Sequence, residues 1–253
     1  MLWRIVLTAA LLAPLAGCPV PQAQDTPVPQ RVEIEPVTGR EYYIYVPSTY
    51  RKDKPCPLII TCHGTPPYDV AEHHIREWKM LGETNRCIVL APVLTGTDGI
   101  FGSGPVSGML QDERYIMSLI STLGHQYNID LANIMITGFS GGGFPTYWVG
   151  LRHPDLFSTV VARNCNFNEA NLAGWYPPEA TGIHVMVYYG ETDPGAIQNQ
   201  SQNAIRYLRA GGFKIETLVI PGVGHVRHPE YAMEFFRKHW QTPRPSLPTE
   251  TTK

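Results

Sequence analysis

The sequence predicts an α/β domain built on a mostly parallel, eight-stranded sheet with helices on both faces. Short apolar runs, typical of buried strands, alternate along the chain with longer segments in which apolar residues recur at helical spacing. A pair of alternating runs precedes them, and a hairpin followed by strand–helix repeats is typical of this class. The length of 253 residues suits one large domain.

The first half of the predicted domain begins with the hairpin. The runs "RVEIEP" and "EYYIYVP" alternate polar and apolar residues and are separated by the turn sequence "VTGR". "PLIITCHG" is continuously apolar, which indicates a strand buried on both faces. A helix is predicted from 70 to 86, where Ile75, Trp78, Met80 and Leu81 lie near one face. "CIVLAPVL" is the next buried strand.

The second half repeats the alternation. A helix is predicted from about 112 to 127, followed by the strand "NIMITGF" and a helix that begins after Ser140. The strands "FSTVVARNC" and "HVMVYYG" come next, then a helix from about 196 to 210. The strand "KIETLVIPG" and a helix from about 229 to 239 complete the pattern. Because ligands bind beyond the carboxyl ends of parallel strands, residues that follow strands are the candidates for a site.

The two ends of the chain are predicted to lie outside the folded domain, which we place at 31–241. Residues 1–17 carry one positive charge, an apolar run and small residues, which is typical of an export signal. The ending "LAGC" resembles the lipobox of bacterial lipoproteins, which implies a lipid anchor on Cys18. We therefore expect a cell-envelope lipoprotein, periplasmic or at the cell surface, or else a secreted protein. The Pro- and Gln-rich residues 18–30 predict a tether, and 242–253 predict a disordered tail.

Composition excludes several classes of partner. A formal net charge of −2, with no basic run, argues against nucleic-acid binding. No cysteine spacing resembles a zinc site, so no metal is expected. The glycine-rich loop from 95 to 109 lacks the G-K-[ST] ending of a phosphate-binding loop, and no cofactor is implied. We expect a monomer whose partner is its substrate.

Four cysteines fall inside the domain, at Cys56, Cys62, Cys87 and Cys165. In an exported protein an even number of cysteines favours disulfides, but their pairing does not follow from sequence. Cys56 and Cys87 each come just before a predicted strand, so neighbouring strands would bring their thiols to one edge of the sheet. This pair is the preferred one.

The stretch "GFSGGG" carries the main functional signal. Gly138, Ser140 and Gly142 match G-x-S-x-G between a predicted strand and a predicted helix, the context in which this motif presents a nucleophilic serine. At so tight a turn, side chains two positions before and after the serine would collide, and glycine avoids this. The following helix directs backbone amides to the same point. The motif alone also fits a plain glycine-rich turn, so its partners matter.

Two later loops hold the partners that a serine nucleophile needs. Asp193 follows the strand "HVMVYYG", and His225 follows the next strand. An imidazole takes the serine proton during attack, and a carboxylate holds that imidazole in one tautomer. Glu191 is the alternative acid, although it lies nearer the strand end. His228 is the alternative base, although it opens the last helix.

With its nucleophile, acid and base in this order, the sequence resembles the α/β-hydrolase superfamily and, within it, secreted esterases grouped with polyhydroxybutyrate depolymerases and feruloyl esterases. The resemblance runs from about 31 to 239 and rests on "CHGT", "GFSGGG", "RHPDLFSTVV", "YGETDP" and "PGVGH". It implies the α/β-hydrolase fold and an oxyanion hole formed by the amides of Gly141 and Thr65, with Gly64 shaping the turn. His63 is expected to support this loop structurally.

Other polar and aromatic residues are less specific. Trp175 and Tyr176, between the sixth and seventh strands, either form an aromatic rim that binds substrate or pack their loop onto the domain. His73 and His74 diverge by about 100° on a helix and are expected at the surface. Asp112 is expected to cap the helix that it opens.

These residues together predict an exported serine hydrolase that cleaves carboxylic esters through an acyl-enzyme on Ser140. His225 would activate first the serine and then water. By resemblance, the substrates are esters on polysaccharides, aryl esters or polyesters. A serine peptidase of the same fold and a non-catalytic, ligand-binding surface lipoprotein are the alternatives.

Overall fold

The structure is a computed structural model that describes residues 31–98, 106–172 and 176–246. The predicted signal peptide, Cys18, the tether and Trp175 therefore lie outside the described residues. Within the described ranges, no helix combines the length and apolar character needed to cross a bilayer.

A single sheet of eight strands forms the centre of the domain. The strands are β1 (Arg31–Ile34), β2 (Glu41–Tyr45), β3 (Cys56–Cys62), β4 (Ile88–Pro92), β5 (Ile129–Ser140), β6 (Thr159–Cys165), β7 (His184–Gly190) and β8 (Ile215–Ile220). Their order across the sheet is β1-β2-β4-β3-β5-β6-β7-β8. The pairs β1–β2 and β2–β4 are antiparallel and all other neighbours are parallel. The predicted mostly parallel, eight-stranded sheet is confirmed.

Within the described residues, five α-helices cover the two faces of this sheet. They are α1 (Ala71–Asn85), α2 (Val106–Gln126), α3 (Gly143–Arg152), α4 (Gly195–Ala210) and α5 (Pro229–Lys238). Apolar side chains of α2, α3 and α4 form one core against the sheet, and those of α1 and α5 form a second core on the other face. Leu58 and Ile60 of β3 belong to the first core and Ile59 to the second. Burial on both faces explains why the sequences of central strands such as β3 and β4 are almost continuously apolar.

The predicted role of Asp112 as a helix cap is wrong, because α2 begins six residues earlier, at Val106. The Asp112 carboxylate is fully buried and accepts hydrogen bonds from the backbone amides of Thr95 at 3.0 Å and Gly96 at 2.7 Å. It also pairs with the Arg40 guanidinium at 2.7 Å. The residue is structural, as expected, but it anchors the loop after β4 rather than its own helix.

The expectation of disorder from residue 242 onward is wrong for 242–246. The amide of Leu131 donates to the carbonyl of Arg244 at 2.7 Å, and the amide of Ser246 donates to the carbonyl of Ile129 at 2.8 Å. This segment satisfies backbone groups at the start of β5 that would otherwise lack partners, which is why polar, proline-rich sequence is ordered there.

The preferred disulfide between Cys56 and Cys87 is also wrong. Both thiols are free and buried, as are those of Cys62 and Cys165. Cys56 faces the core formed by α2, α3 and α4, whereas Cys87 faces the core formed by α1 and α5. The two side chains therefore leave opposite faces of the sheet, and the Cys56 thiol donates instead to the carbonyl of Arg86 at 3.1 Å.

Glu113 holds α2 and α3 together. Its carboxylate accepts hydrogen bonds from Trp148 Nε1 at 2.7 Å, His153 Nε2 at 2.8 Å and Arg152 Nε at 3.0 Å. Burial opposes ionisation of Glu113, but these three donors outweigh it and lower its pKa to about 2. The charged form is therefore strongly favoured in the folded state.

Glu113→Gln is expected to lower the free energy of unfolding by about 2 to 3 kcal/mol at pH 7. Since the pKa of Glu113 falls on folding from 4.5 to about 2, this stabilisation is complete above about pH 4.5 and is lost as the pH falls toward 2. Urea unfolding of both proteins at pH 7, 4 and 2.5 measures the difference. A difference that stays constant down to pH 2.5 would contradict the assignment.

Candidate active site

Ser140 occupies the sharp turn between β5 and α3. Its φ is +53°, in the left-handed region that non-glycine residues rarely adopt. A Cβ atom on Gly138 would lie 2.3 Å from the carbonyl oxygen of Gly142, and one on Gly142 would lie 2.3 Å from the carbonyl oxygen of Cys62. Only glycine fits at either position, because any larger side chain would collide with the backbone, as the motif predicts. The turn presents Ser140 at the carboxyl edge of the sheet.

Asp193 and His225 meet at the same edge of the sheet. Asp193 follows β7 and is buried, and its Oδ1 lies 2.7 Å from Nδ1 of His225, which follows β8. The other carboxylate oxygen accepts hydrogen bonds from the Gly190 amide at 2.9 Å and from the Asn164 side chain. Because Nδ1–H of His225 donates to the carboxylate, Nε2 of a neutral His225 is the ring nitrogen left to accept a proton.

Ser140 and His225 line one cavity of about 1220 Å3. The ring of Phe139 packs against the His225 imidazole at 4.5 Å between centroids. Within the described part of the chain, no hydrogen bond joins the Ser140 hydroxyl to His225. The structure thus brings the serine, the imidazole and the carboxylate to one site.

The two residues predicted for the oxyanion hole are neighbours beside Ser140. A Cβ atom on Gly141 would lie 2.7 Å from Thr65 Oγ1, and one on Gly64 would lie 3.1 Å from the Cβ of Ser140. His63 supports this loop as expected, because its Nδ1 binds the carbonyl of Gly64 at 2.7 Å and its Nε2 accepts from the Leu94 amide at 2.9 Å. We call residues 63–65 the oxyanion loop.

The alternative acid and base have other partners. Glu191 is exposed and accepts a hydrogen bond from a backbone amide of the loop after β8 at 2.8 Å. His228 lies just before α5, and its Nδ1 is 2.7 Å from Oε1 of Glu230. His228 lines the cavity, but the carboxylate that contacts His225 is that of Asp193.

Tyr176 does not line the cavity, so its predicted role in an aromatic rim is not supported by its position. Its ring packs on Phe213 at 5.3 Å and on Tyr207 of α4 at 6.4 Å between centroids. The residue fastens its loop to the domain, which is the other interpretation that the sequence allows. Its neighbour Trp175 lies outside the described residues.

The expectation that His74 lies at the surface is wrong. Its side chain is fully buried, with Nε2 at 2.7 Å from Asp69 Oδ2 and Nδ1 at 2.7 Å from Thr61 Oγ1. His73, one position earlier, is partly exposed, as expected. Neither belongs to a metal-binding cluster, since the described residues contain no group of three or more histidine, cysteine or carboxylate side chains suited to a metal ion.

Asn164 is a site residue that sequence reasoning missed. It has a left-handed backbone, with φ at +51°, and it is fully buried at the end of β6. Its side-chain amide donates to Asp193 and, at 3.3 Å, to the carbonyl of Gly224, the residue before His225. The available signal was its position, because it closes a buried strand at the same edge as the other candidates.

Comparisons with known proteins bear on the fold and on the general class of the chain. No family model matches the chain. The candidate carboxymethylenebutenolidase of Escherichia coli is 26% identical over 241 residues, which cover 88% of this chain and 86% of that protein. Dipeptidyl-peptidase 5 of Porphyromonas gingivalis is 25% identical over 236 residues, which cover 77% of this chain and 34% of the peptidase. The chain thus spans about a third of the length of that peptidase.

Among solved structures, the ferulic acid esterase of Anaeromyces mucronatus superposes with a TM-score of 0.61 at 17% identity, covering 85% of this chain and 89% of that protein. The chain has the α/β-hydrolase fold. In this α/β-hydrolase domain Ser140 ends β5 and the other two candidate residues follow β7 and β8, so all three lie at the carboxyl edge of the sheet, where this class of fold binds ligands.

Proposed function

We propose that the protein is a serine hydrolase that cleaves carboxylic esters through an acyl-enzyme on Ser140. One observation carries the proposal: the contact of 2.7 Å between Asp193 Oδ1 and His225 Nδ1, in a cavity that Ser140 also lines. A buried carboxylate, an oriented imidazole and a hydroxyl on a strained turn are the groups that acyl transfer requires.

In the proposed mechanism, Nε2 of His225 takes the proton of the Ser140 hydroxyl as the oxygen attacks the ester carbonyl. The backbone amides of Gly141 and Thr65 stabilise the oxyanion of the tetrahedral intermediate. The His225 imidazolium then donates its proton to the leaving alcohol, and the acyl group stays on Ser140. His225 next takes a proton from water as the water oxygen attacks the acyl carbonyl. The imidazolium then gives that proton to Ser140 Oγ as the bond between Oγ and the acyl carbon breaks, which releases the carboxylic acid and restores the serine.

We propose esters with a bulky group, such as aryl esters, esters on polysaccharides or polyesters, as the substrates. The cavity has ample room, since ligand pockets are commonly about 300 to 1,000 Å3. Phe139, Ile197 and Pro194 give it apolar walls. The structural likeness to a ferulic acid esterase supports the aryl or sugar ester within this range.

A peptidase activity is the second candidate, because the sequence is 25% identical to a dipeptidyl-peptidase over 77% of this chain. The same three residues would serve, since esters and amides share the tetrahedral intermediate. A panel of feruloyl, acetyl-sugar, hydroxybutyrate and aminoacyl-anilide substrates distinguishes the two.

We also propose export and anchoring through a lipid on Cys18, on the strength of the sequence "LAGC".

A fluorophosphonate is expected to abolish hydrolysis of p-nitrophenyl acetate and to leave one adduct on the peptide that contains Ser140. The probe traps a serine only when a neighbouring base activates it. Mass spectrometry of the digested protein locates the adduct, and titration compares its amount with the activity lost. An adduct on another residue, or full activity after complete labelling of Ser140, would contradict the proposal.

A further inference from the structure

A closed ring of polar side chains lies beside the cavity. Its members are Thr61, Asp69, His74, Glu77, Arg163 and Arg227. They come from β3, the segment after it, α1, β6 and the loop that carries His225. Two carboxylates balance two guanidiniums, and five of the six side chains are buried or nearly so. Such a buried array is costly unless every member is paired, as it is here.

The first half of the ring is built on Glu77 of α1. Its Oε1 accepts from Nη1 of Arg163 at 2.5 Å, and its Oε2 pairs with Nε of Arg227 at 2.6 Å. Arg163 is fully buried in β6, so the carboxylate of Glu77 compensates a charge that has no access to water. Arg227 is thereby fixed relative to the sheet.

The second half of the ring fixes the proton on His74. Arg163 Nη2 donates to the Thr61 hydroxyl at 3.2 Å and lies 3.4 Å from Nδ1 of His74, so Nδ1 faces a cationic donor and is the ring nitrogen that accepts the Thr61 hydroxyl proton. The Nε2–H of His74 then donates to Asp69 Oδ2. Burial lowers the pKa of His74, in keeping with a neutral imidazole.

Asp69 connects the two loops that hold the proposed catalytic groups. Its Oδ2 accepts the amide proton of Gly64 at 2.7 Å, in the oxyanion loop. Its Oδ1 pairs with Nη1 of Arg227 at 2.5 Å. Arg227 lies two residues after His225, in the segment 221–228 that we call the histidine loop. Burial opposes the charge on Asp69, but the bond from His74 and the other donors hold its pKa well below the usual range.

We propose that Asp69 is a positioning residue that fixes the position of the oxyanion loop relative to the histidine loop. The inference rests on the proposed function. The amide of Thr65 belongs to the peptide that follows Gly64, and glycine leaves that peptide free to rotate unless its neighbour is anchored. The Asp69–Gly64 bond anchors it, while the Asp69–Arg227 pair fixes the loop that carries the base. Displacement of either group by about 1 Å can cost as much as about 100-fold in rate.

Asp69 makes two contacts that we call its arms, one from Oδ2 to the Gly64 amide of the oxyanion loop and one from Oδ1 to Arg227 of the histidine loop. Two substitutions separate these arms. In Asp69→Asn the amide oxygen stays with the donors Gly64 and His74 and the NH2 group faces Arg227, so the arm to the histidine loop is lost. The longer contact of 3.4 Å between Oδ1 and Nδ1 of His73 changes with it. We expect kcat for p-nitrophenyl acetate to fall about tenfold, with KM changed less than threefold. Asp69→Ala loses both arms and is expected to lower kcat about 100-fold. Affinity for a trifluoromethyl ketone, whose adduct carries the oxyanion, is expected to weaken by the factor by which kcat/KM falls.

Arg227→Gln tests the same arm from the other side and keeps the inference testable if Asp69→Ala does not fold. It also removes the Arg227–Glu77 pair, so kcat is expected to fall at least as far as in Asp69→Asn. The double variant is expected to be little worse than Arg227→Gln alone, because the Asp69–Arg227 contact is already lost in that variant. Glu113→Gln is the matched control: this buried carboxylate supports α2 and α3 but does not line the cavity. Its kcat is expected to stay within twofold of the parent protein.

The inference is overturned if Asp69→Asn and Arg227→Gln keep kcat/KM within twofold of the parent, or if their effects multiply fully in the double variant. It is also overturned if kcat/KM falls while affinity for the ketone is unchanged. If Ser140→Ala retains full activity, the proposed function fails instead. If Ser140→Ala is inactive and the Asp69 variants behave as the parent, only the positioning role fails.

Discussion

Ser140→Ala is expected to lower kcat for p-nitrophenyl acetate by about 10⁶-fold. Ester hydrolysis by the proposed route requires an oxygen nucleophile in the cavity beside His225, and alanine removes it. The amides of the oxyanion hole and substrate binding would still act in the variant, so its rate of hydrolysis should exceed the uncatalysed rate by about 10³-fold to 10⁴-fold. The loss should therefore appear in kcat, with KM little changed.

The fold should not change, because alanine keeps the Cβ atom that the turn already accommodates at a φ of +53°. Thermal unfolding of the variant checks this point. Ser158→Ala is the matched control, since Ser158 precedes β6 at the opposite edge of the sheet and donates to the carbonyl of Ile134 at 3.2 Å. Loss of activity in both variants, or a kcat for Ser140→Ala within tenfold of the parent, would exclude Ser140 as the nucleophile.

The architecture was predictable because the central strands are buried on both faces. In β3, Leu58 and Ile60 face one core and Ile59 the other, so the middle of the strand is apolar at every position and Thr61 is its one polar side chain. Boundaries were less predictable, because they depend on partners distant in sequence. For example, β5 begins as early as Ile129, and backbone groups at its start hydrogen-bond to the backbone of 242–246. The polar composition of 242–246 does not predict this pairing.

The candidate triad was predicted from the G-x-S-x-G motif together with position along the chain. Ser140 ends one strand and Asp193 and His225 follow two others, and parallel strands bring their carboxyl ends to one edge whatever their separation along the chain. Side-chain direction was not predictable in the same way. Tyr176 lies in the connection between β6 and β7, yet its ring packs on Phe213 and not in the cavity. The composition of a loop does not determine the direction in which the loop folds.

The ring around Asp69 had a signal in the sequence that was not used. Arg163 interrupts the buried strand "FSTVVARNC", and a guanidinium at such a position requires a buried carboxylate. His74 lies one position before Ile75 and four before Trp78, on the buried face of α1, so its burial follows from helical spacing. Which carboxylate pairs with Arg163 depends on tertiary contacts and could not be read from either pattern.

Asp193→Asn is expected to lower kcat by about 10⁴-fold. The reason lies in the second oxygen of Asp193, which accepts from the Gly190 amide at 2.9 Å and from the Asn164 side chain. Both of these groups are donors, so the amide oxygen of the substituted asparagine must stay with them and its NH2 group must face His225. Nδ1 of His225 then becomes an acceptor and Nε2 carries the proton. In that tautomer His225 cannot take the proton of the Ser140 hydroxyl.

Steady-state kinetics of Asp193→Asn and Glu191→Gln on one ester measure this effect and decide between the two acids. Glu191 is exposed and contacts only a backbone amide through its carboxylate among the described hydrogen bonds, so kcat for Glu191→Gln should stay within about twofold of the parent. Because Asp193→Asn preserves shape and the contacts of the second oxygen, both variants should unfold at similar temperatures. A large loss in Glu191→Gln with activity retained in Asp193→Asn would reverse the assignment and leave the buried Asp193–His225 contact with a purely structural role.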